Sequence, residues 1–133
     1  MPRRSQKPKP LRVLIADDHR LFTEALQAIL ASDERIEVVG QASDGSEAVA
    51  LARTLDPDVV LMDVSMPVLD GFEATREIRA TSDDTHVLML TGSNSQADVD
   101  RSREVGASGY VTKDRIASEL VAAIVEVARR RLP

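Results

Sequence analysis

Five side chains in this sequence could do chemistry together if the fold gathered them: the adjacent pair Asp17-Asp18, then Asp63, Thr91 and Lys113. Each lies at or just beyond the end of a short apolar run. Singly, each has an ordinary explanation. Asp17 or Asp18 could cap a helix, Asp63 could serve a turn, Thr91 could end a strand and Lys113 could be a solvated surface cation. Brought onto one rim, they are harder to explain that way. Three adjacent carboxylates repel one another, and each resists ionisation unless a cation compensates. Oxygen ligands without His or Cys suit a hard ion such as Mg²⁺, which is commonly held by few carboxylates and several waters. An ion beside a nucleophilic carboxylate, a hydroxyl and an ammonium is equipment for phosphoryl transfer.

The elements that would carry these residues are written in the apolar spacing. Leu11–Ala16 is a short β-branched run bounded by the acid pair. Leu21, Phe22, Ala25, Leu26, Ile29 and Leu30 recur with a helical period, predicting a helix that ends near Ser32. Ile36–Ala42 predicts a second strand. Asp44 and Glu47 have capping-box spacing ahead of a helix that buries Ala48, Val49, Ala52 and Leu55. Residues 59–62 are continuously apolar, as a strand covered on both faces should be. Asp70 and Glu73 repeat the capping spacing and open a helix burying Phe72, Thr75 and Ile78. Residues 87–90 predict a fourth strand, and 95–105 a helix with only Ala97, Val99 and Val105 to bury. A short fifth strand at 109–111 precedes a last helix at about 116–131, with Leu120, Ile124 and Val127 inward.

Strand and helix thus alternate five times, which implies a parallel sheet, because parallel strands need long crossovers. The expected architecture is α/β, a flavodoxin-like (βα)5 fold. Its five-stranded parallel sheet has the order 2-1-3-4-5, with helices on both faces. Ligands on such sheets bind beyond the carboxyl ends of the strands at the switch in strand order, here between the first and third strands. That is the rim where the acids, Thr91 and Lys113 would meet.

Composition narrows the class. At 133 residues with 43% hydrophobic residues, the chain suits one domain, and no run approaches a membrane span. Nor does an apolar stretch of signal-peptide type follow the basic N-terminus. Without cysteine there is no disulfide framework and no thiolate metal site. These features point to a cytoplasmic protein with no membrane partner. The formal charge is −5, but Arg3, Arg4, Lys7 and Lys9 lie in residues 1–10, leaving −9 on residues 11–133. Residues 1–10 therefore read as a disordered basic arm and 11–133 as the folded domain. A body this acidic is a poor direct binder of nucleic acid.

Five motifs occur in order: Asp17-Asp18, Val60-Leu-Met-Asp63-Val-Ser-Met-Pro67, Asp70-Gly71, Thr91-Gly92 and Tyr110-Val-Thr-Lys113. Together they make residues 11–131 resemble the response-regulator receiver domains of bacterial two-component systems. The resemblance implies that Asp63 accepts a phosphoryl group from a sensor histidine kinase. It also implies that Asp18, Asp63 and the backbone carbonyl of Ser65 hold Mg²⁺, with Asp17 acting through a water. Lys113 would pair with the acyl phosphate and Thr91 would bond it, while Gly92 leaves it room. Tyr110 would rotate inward as Thr91 moves, reshaping the face formed by the fourth helix, fifth strand and fifth helix. That face would meet a downstream protein partner, and the domain could form a homodimer on phosphorylation. Such a module is not an enzyme in the ordinary sense, catalysing only its own phosphorylation and dephosphorylation.

One feature departs from the common family pattern. Many receivers carry Lys-Pro after the fifth strand, whereas Lys113 precedes Asp114 here. That variant, with His19 after the acid pair and the Gly106-Ala-Ser-Gly109-Tyr110 stretch, resembles the subfamily normally fused to a C-terminal helix-turn-helix domain. The reading favours a stand-alone receiver over the receiver half of a truncated DNA-binding transcription factor. A phosphorylation-independent pseudo-receiver and an Asp-nucleophile phosphatase are the remaining alternatives. The phosphatase fits poorly, because those enzymes place their nucleophile on the first strand. His19 reads as a surface residue at the start of the first helix rather than as a general base or metal ligand.

Overall fold

Strands that are apolar along their whole length need cover on both faces, and the helices of this chain supply it. A computed structural model describes residues 9–82, 84–92 and 95–130. Most of the expected basic arm lies outside the described residues; its last two, Lys9 and Pro10, are exposed and irregular. The elements run β1 Leu11–Ala16, α1 Arg20–Ala31, β2 Ile36–Ala42, α2 Gly45–Leu55, β3 Val59–Asp63, α3 Gly71–Thr81, β4 His86–Thr91, α4 Gln96–Glu104 and β5 Gly109–Thr112. A 3-10 turn, Lys113–Arg115, then leads into α5, Ile116–Arg129. The five strands form one sheet in the order β2-β1-β3-β4-β5, every pairing parallel.

Alternation along the strands splits the interior into two cores. Val13, Ile15, Leu61, Leu88 and Leu90 point to one face, where Leu26 and Leu30 of α1 and Leu120 and Ile124 of α5 cover them. Leu14, Val60, Met62 and Met89 point to the other, against Ala48 and Ala52 of α2 and Phe72 and Ile78 of α3. Large side chains buried this fully contribute about 1.5–3 kcal/mol each. The centre of the sheet, β1, β3 and β4, is therefore the rigid part of the molecule.

Helix starts follow the expected chemistry with one adjustment. Asp44 and Asp70 accept hydrogen bonds from the Glu47 and Glu73 amides at 2.7 and 2.9 Å. The return arms differ from a full capping box. Glu47 accepts from the Ser43 amide, one residue upstream of the cap, at 2.7 Å. Glu73 instead turns toward Arg101 of α4.

Two helical faces differ from expectation. On α1 the buried residues are Thr23, Leu26 and Leu30, whereas Leu21 is 81% exposed and Ala25 is exposed. At about 100° per residue, Leu21 and Ala25 fall on the side turned away from Leu30, and a sheet cannot cover so wide an arc. On α4, Ala97 is exposed and Ser102 is buried beside Val99. Ser102 tolerates burial because its hydroxyl donates to the Asp98 carbonyl at 2.8 Å. The last helix stops at Arg129, and residue 131 lies outside the described residues.

Candidate functional site

Because β1 and β3 are adjacent and parallel, the residues at their carboxyl ends come to one rim. Asp17 continues the β1 ladder by donating its amide to the Ala42 carbonyl at 3.0 Å. Its Oδ1 accepts the His19 amide at 2.8 Å, which fixes the turn into α1. Asp63 is the last residue of β3, and both it and Asp17 are buried, while Asp18 is exposed.

Lys113 arrives from the opposite side, where β5 ends. Its Nζ lies 3.2 Å from Asp17 Oδ2 and 3.3 Å from Asp63 Oδ1, bridging the two buried carboxylates. The Phe22 ring of α1, 4.4 Å from that ammonium, braces it by a cation–π contact. One ammonium does not neutralise two buried acids. Burial, and then the charge of Asp17, push the Asp63 carboxyl above its ordinary range despite Lys113. Asp63 Oδ2 is buried with no hydrogen-bond partner.

The loop after β3 is locked against this carboxylate. Gly71 donates its amide to the Val64 carbonyl at 2.9 Å, and a Cβ at Gly71 would collide with the Asp63 carbonyl oxygen. Between them, Leu69 donates to the Pro67 carbonyl at 2.7 Å across Val68, whose φ is +70°. That is a three-residue γ-turn in its strained form, on a β-branched residue. Ser65 sits exposed on this loop, facing the same open cleft as Asp18 and His19.

The remaining expected residues occupy the same end of the sheet. Thr91 is buried at the end of β4, paired with Thr112. A Cβ built on Gly92 meets nothing within 4 Å, so the space beside it is open. Tyr110 stands on the edge strand β5, 39% exposed. Sequence reasoning missed how His19 is used. It does start α1 and its side chain is 63% exposed, but Nδ1 leans over the acids, 3.0 Å from Asp17 Oδ1 and 3.3 Å from Asp18 Oδ1. The two-residue spacing Asp17-x-His19 is the one signal that could have shown this, through the turn that Asp17 closes. Phe22 also escaped notice as a site residue, being read only as part of an apolar stripe.

Ligand atoms of Asp17, Asp18, His19 and Asp63 lie within 4.8 Å of one another. A hard divalent cation fits this donor set: it would offset the uncompensated acids and give the orphaned Asp63 oxygen a partner.

Residues 13–125 match the family model described as response regulator receiver domain. Among curated proteins, the chain is 40% identical over 119 residues to the transcriptional regulatory protein DegU of Brevibacillus brevis, covering 90% of this chain and 50% of that protein. It is 42% identical over 117 residues to the response regulator GacA of Pseudomonas aeruginosa, covering 88% of this chain and 55% of GacA. The chain thus spans about half the length of these relatives. Among solved structures, the signal receiver domain of NarL from Mycobacterium tuberculosis superposes with a TM-score of 0.89 at 35% identity. That match covers 93% of this chain and all of the NarL domain. The response regulator domain of Thermotoga maritima CheB gives a TM-score of 0.86 at 32% identity over 92% of this chain and 98% of that one. A match over most of the sequence, on the fold and acidic rim just described, makes this chain a member of the response regulator receiver domain family.

Proposed function

We propose that residues 11–133 form one receiver unit, preceded by a basic arm, whose Asp63 accepts a phosphoryl group from a histidine kinase in a Mg²⁺-dependent reaction. The observation that carries this reading is the state of Asp63. One oxygen is held by Lys113 and the other is buried without a partner. The Asp63 carboxylate is then an unsatisfied nucleophile, with one oxygen for the ion and one for phosphorus. It forms a bond to phosphorus as the bond from phosphorus to the kinase histidine breaks, and the imidazole leaves with a proton from solvent. Asp18, Asp63 and the Ser65 carbonyl would hold Mg²⁺, with Asp17 bound through a water. When bound, the ion supplies charge neutralisation.

The chain's own residues do the rest. Lys113 stays on the acyl phosphate, Thr91 donates its hydroxyl to a phosphoryl oxygen, and Gly92 leaves space for the group. Tyr110 turns inward behind Thr91, and the altered α4–β5–α5 face is read by a downstream protein or a second copy of the chain. The domain acts on no substrate other than its own carboxylate. Its place of work is the cytoplasm, where the kinase would meet it. Among the described residues, no helix is long and apolar enough to cross a membrane. The acidic body binds no nucleic acid by itself. A receiver used alone passes its signal through protein contacts, whereas one with a fused output half passes it within the chain. The mass of the endogenous product separates the two.

The direct test is intact-mass analysis after incubation with Mg²⁺ and acetyl phosphate. Wild type should gain one phosphoryl group and Asp63→Asn none. Equal labelling of the two would remove Asp63 from the role.

A further inference from the structure

The end of the sheet opposite the acidic rim carries a histidine that the proposed reaction does not use. His86 begins β4 and is buried. Its Nε2 lies 3.0 Å from the backbone carbonyl of Arg130, and its Nδ1 lies 2.7 Å from the Ser108 hydroxyl. A carbonyl can only accept, so Nε2 carries the proton and donates it, while Nδ1 accepts from Ser108. Both nitrogens of the neutral ring are thereby satisfied. Arg130 is the C-cap of α5, and its other groups are fastened at the same place. Its amide donates to the Val127 carbonyl at 3.0 Å, and its Nη1 donates to the Ser108 carbonyl at 2.8 Å. Ser108 is itself tied to β4, its amide donating to the Val87 carbonyl at 2.8 Å. A neutral imidazole thus closes a ring of bonds that joins β4, the turn before β5 and the end of α5.

We propose that His86 is an acid-released clasp on the end of α5, holding Arg130 while the ring is neutral and letting it go when the ring takes a second proton. That proton would sit on Nδ1, where the Ser108 hydroxyl now donates, so the hydroxyl would have to turn its own proton away. The new charge would also meet cations. Arg79 of α3 reaches this end of the sheet, its Nη1 3.1 Å from the Ser82 carbonyl and 3.5 Å from that of Thr85, and its Nε is buried with no hydrogen-bond partner. Arg130 brings a second guanidinium, whose Nη2 is paired with Glu126 at 2.6 Å. The acid that acts against them at the ring is Asp58, whose backbone carbonyl accepts the His86 amide at 3.0 Å. Burial first, and then the two guanidiniums, hold the ring's pKa below its ordinary 6.5 against the bond to Arg130 and the charge of Asp58. By linkage, the clasp contributes fully above pH 6.5 and is lost as pH falls through the lower, folded value. Lying at the amino end of β4, it works whether or not Asp63 is the phosphoacceptor.

NMR of the histidine ring nitrogens as pH falls from neutral into mild acid tests this in the whole chain, together with hydrogen exchange of residues 127–130 corrected for intrinsic rate. The chain has two histidines, so the signal lost in His86→Phe assigns the ring. At neutral pH that signal should have the Nε2–H form, and it should titrate below 6.5. As the ring protonates, protection of the Arg130 amide should fall by about ten-fold, the effect of losing one or two buried hydrogen bonds. His86→Phe keeps a buried ring but neither bond. Its Arg130 amide should exchange at the acid rate throughout, with the pH dependence gone. An Nδ1–H ring at neutral pH, a midpoint above 6.5, or protection that does not change as the ring titrates overturns the proposal. So does wild-type protection of Arg130 in His86→Phe. The wild-type titration decides the matter even if His86→Phe fails to fold.

Discussion

Replacing Asp63 by Asn should abolish phosphorylation and at the same time make the metal-free protein more stable. Asp63 is 3% exposed, and its Oδ2 has no hydrogen-bond partner. The His19 ring, 3.9 Å away, is too distant to donate to it. In the unfolded chain the same carboxylate is fully hydrated. An unsatisfied buried polar atom costs about 1–3 kcal/mol, and more when charged. Against that stands the bond from Lys113 to Oδ1, which survives with a neutral amide oxygen at a loss of about 1 kcal/mol. Asn keeps the shape of the side chain and removes the repulsion with Asp17. The net gain should be about 1–2 kcal/mol, with Tm rising by about 3–5 °C per kcal/mol for a chain of this length.

The sign follows from linkage. Burial raises the folded pKa of Asp63 above its ordinary 3.8, so the folded state binds this proton more tightly than the unfolded state does. Its contribution is favourable below the unfolded pKa and is lost as pH rises through the folded one. The advantage of Asp63→Asn should therefore be small at pH 3.5 and grow toward pH 7. Mg²⁺ should narrow it, because binding at ten times Kd stabilises the wild type by about 1.4 kcal/mol and the variant by less. Urea denaturation across pH, with and without Mg²⁺, reads all of this. A metal-free Asn variant no more stable than wild type at pH 7, or a pH-independent gap, would refute the electrostatic account of the site.

Two glycines near the rim should respond oppositely to alanine. Gly71→Ala drives a Cβ into the backbone of Asp63 and Val64 and should cost about 2–3 kcal/mol in urea melts, whereas Gly92→Ala meets open space and should cost under about 1 kcal/mol. Val68→Gly should stabilise the fold by about 1 kcal/mol by relieving the +70° φ of an exposed side chain, again by denaturation. Hydrogen exchange should be fast over residues 95–106 without phosphate and should change there and around Tyr110 when a beryllofluoride mimic is added; changes confined to α1 and α2 would rule out the α4–β5–α5 route.

Much of the fold was legible because burial and pairing agree. β1 and β2 begin and end where the apolar runs do. The other three strands run one or two residues longer than their apolar segments, ending or starting on Asp63, His86, Thr91 and Thr112. An apolar rule stops at a polar side chain, but the ladder is made of backbone and does not. Those polar strand ends include Asp63 and Thr91, residues proposed to carry the chemistry. The convergence of Asp17, Asp63 and Lys113 followed from strand order alone. The His19 ring did not, since its direction depends on the turn closed by Asp17 Oδ1, and spacing fixes a turn less tightly than a sheet fixes its ends.

Stability is distributed so that chemistry at the rim has something soft to move. Asp63 is rooted in the central strand β3, between β1 and β4, whose side chains are among the most deeply buried in the molecule. The neighbouring helices α3 and α5 bury five and four residues. Helix α4 buries only Val99 and Ser102, with Val105 at its C-cap. At about 1.5–3 kcal/mol for each buried Val, apolar packing holds α4 by a few kcal/mol. Arg101 also ties α4 to α3: its exposed guanidinium lies 4.4 Å over the buried Phe72 ring and 3.8 Å from the exposed Glu73 carboxylate, solvent-screened contacts worth about 1 kcal/mol each. Arg101 also lines the cleft that holds Asp18, His19 and Ser65. A doubly charged phosphoryl group in that cleft would compete with Glu73 and the Phe72 ring for the guanidinium. The energy available from one charge-assisted contact is then comparable to what holds α4 in place. A contact of that size would leave β3 unmoved, so a phosphoryl group bound there would act on the helix and spare the sheet.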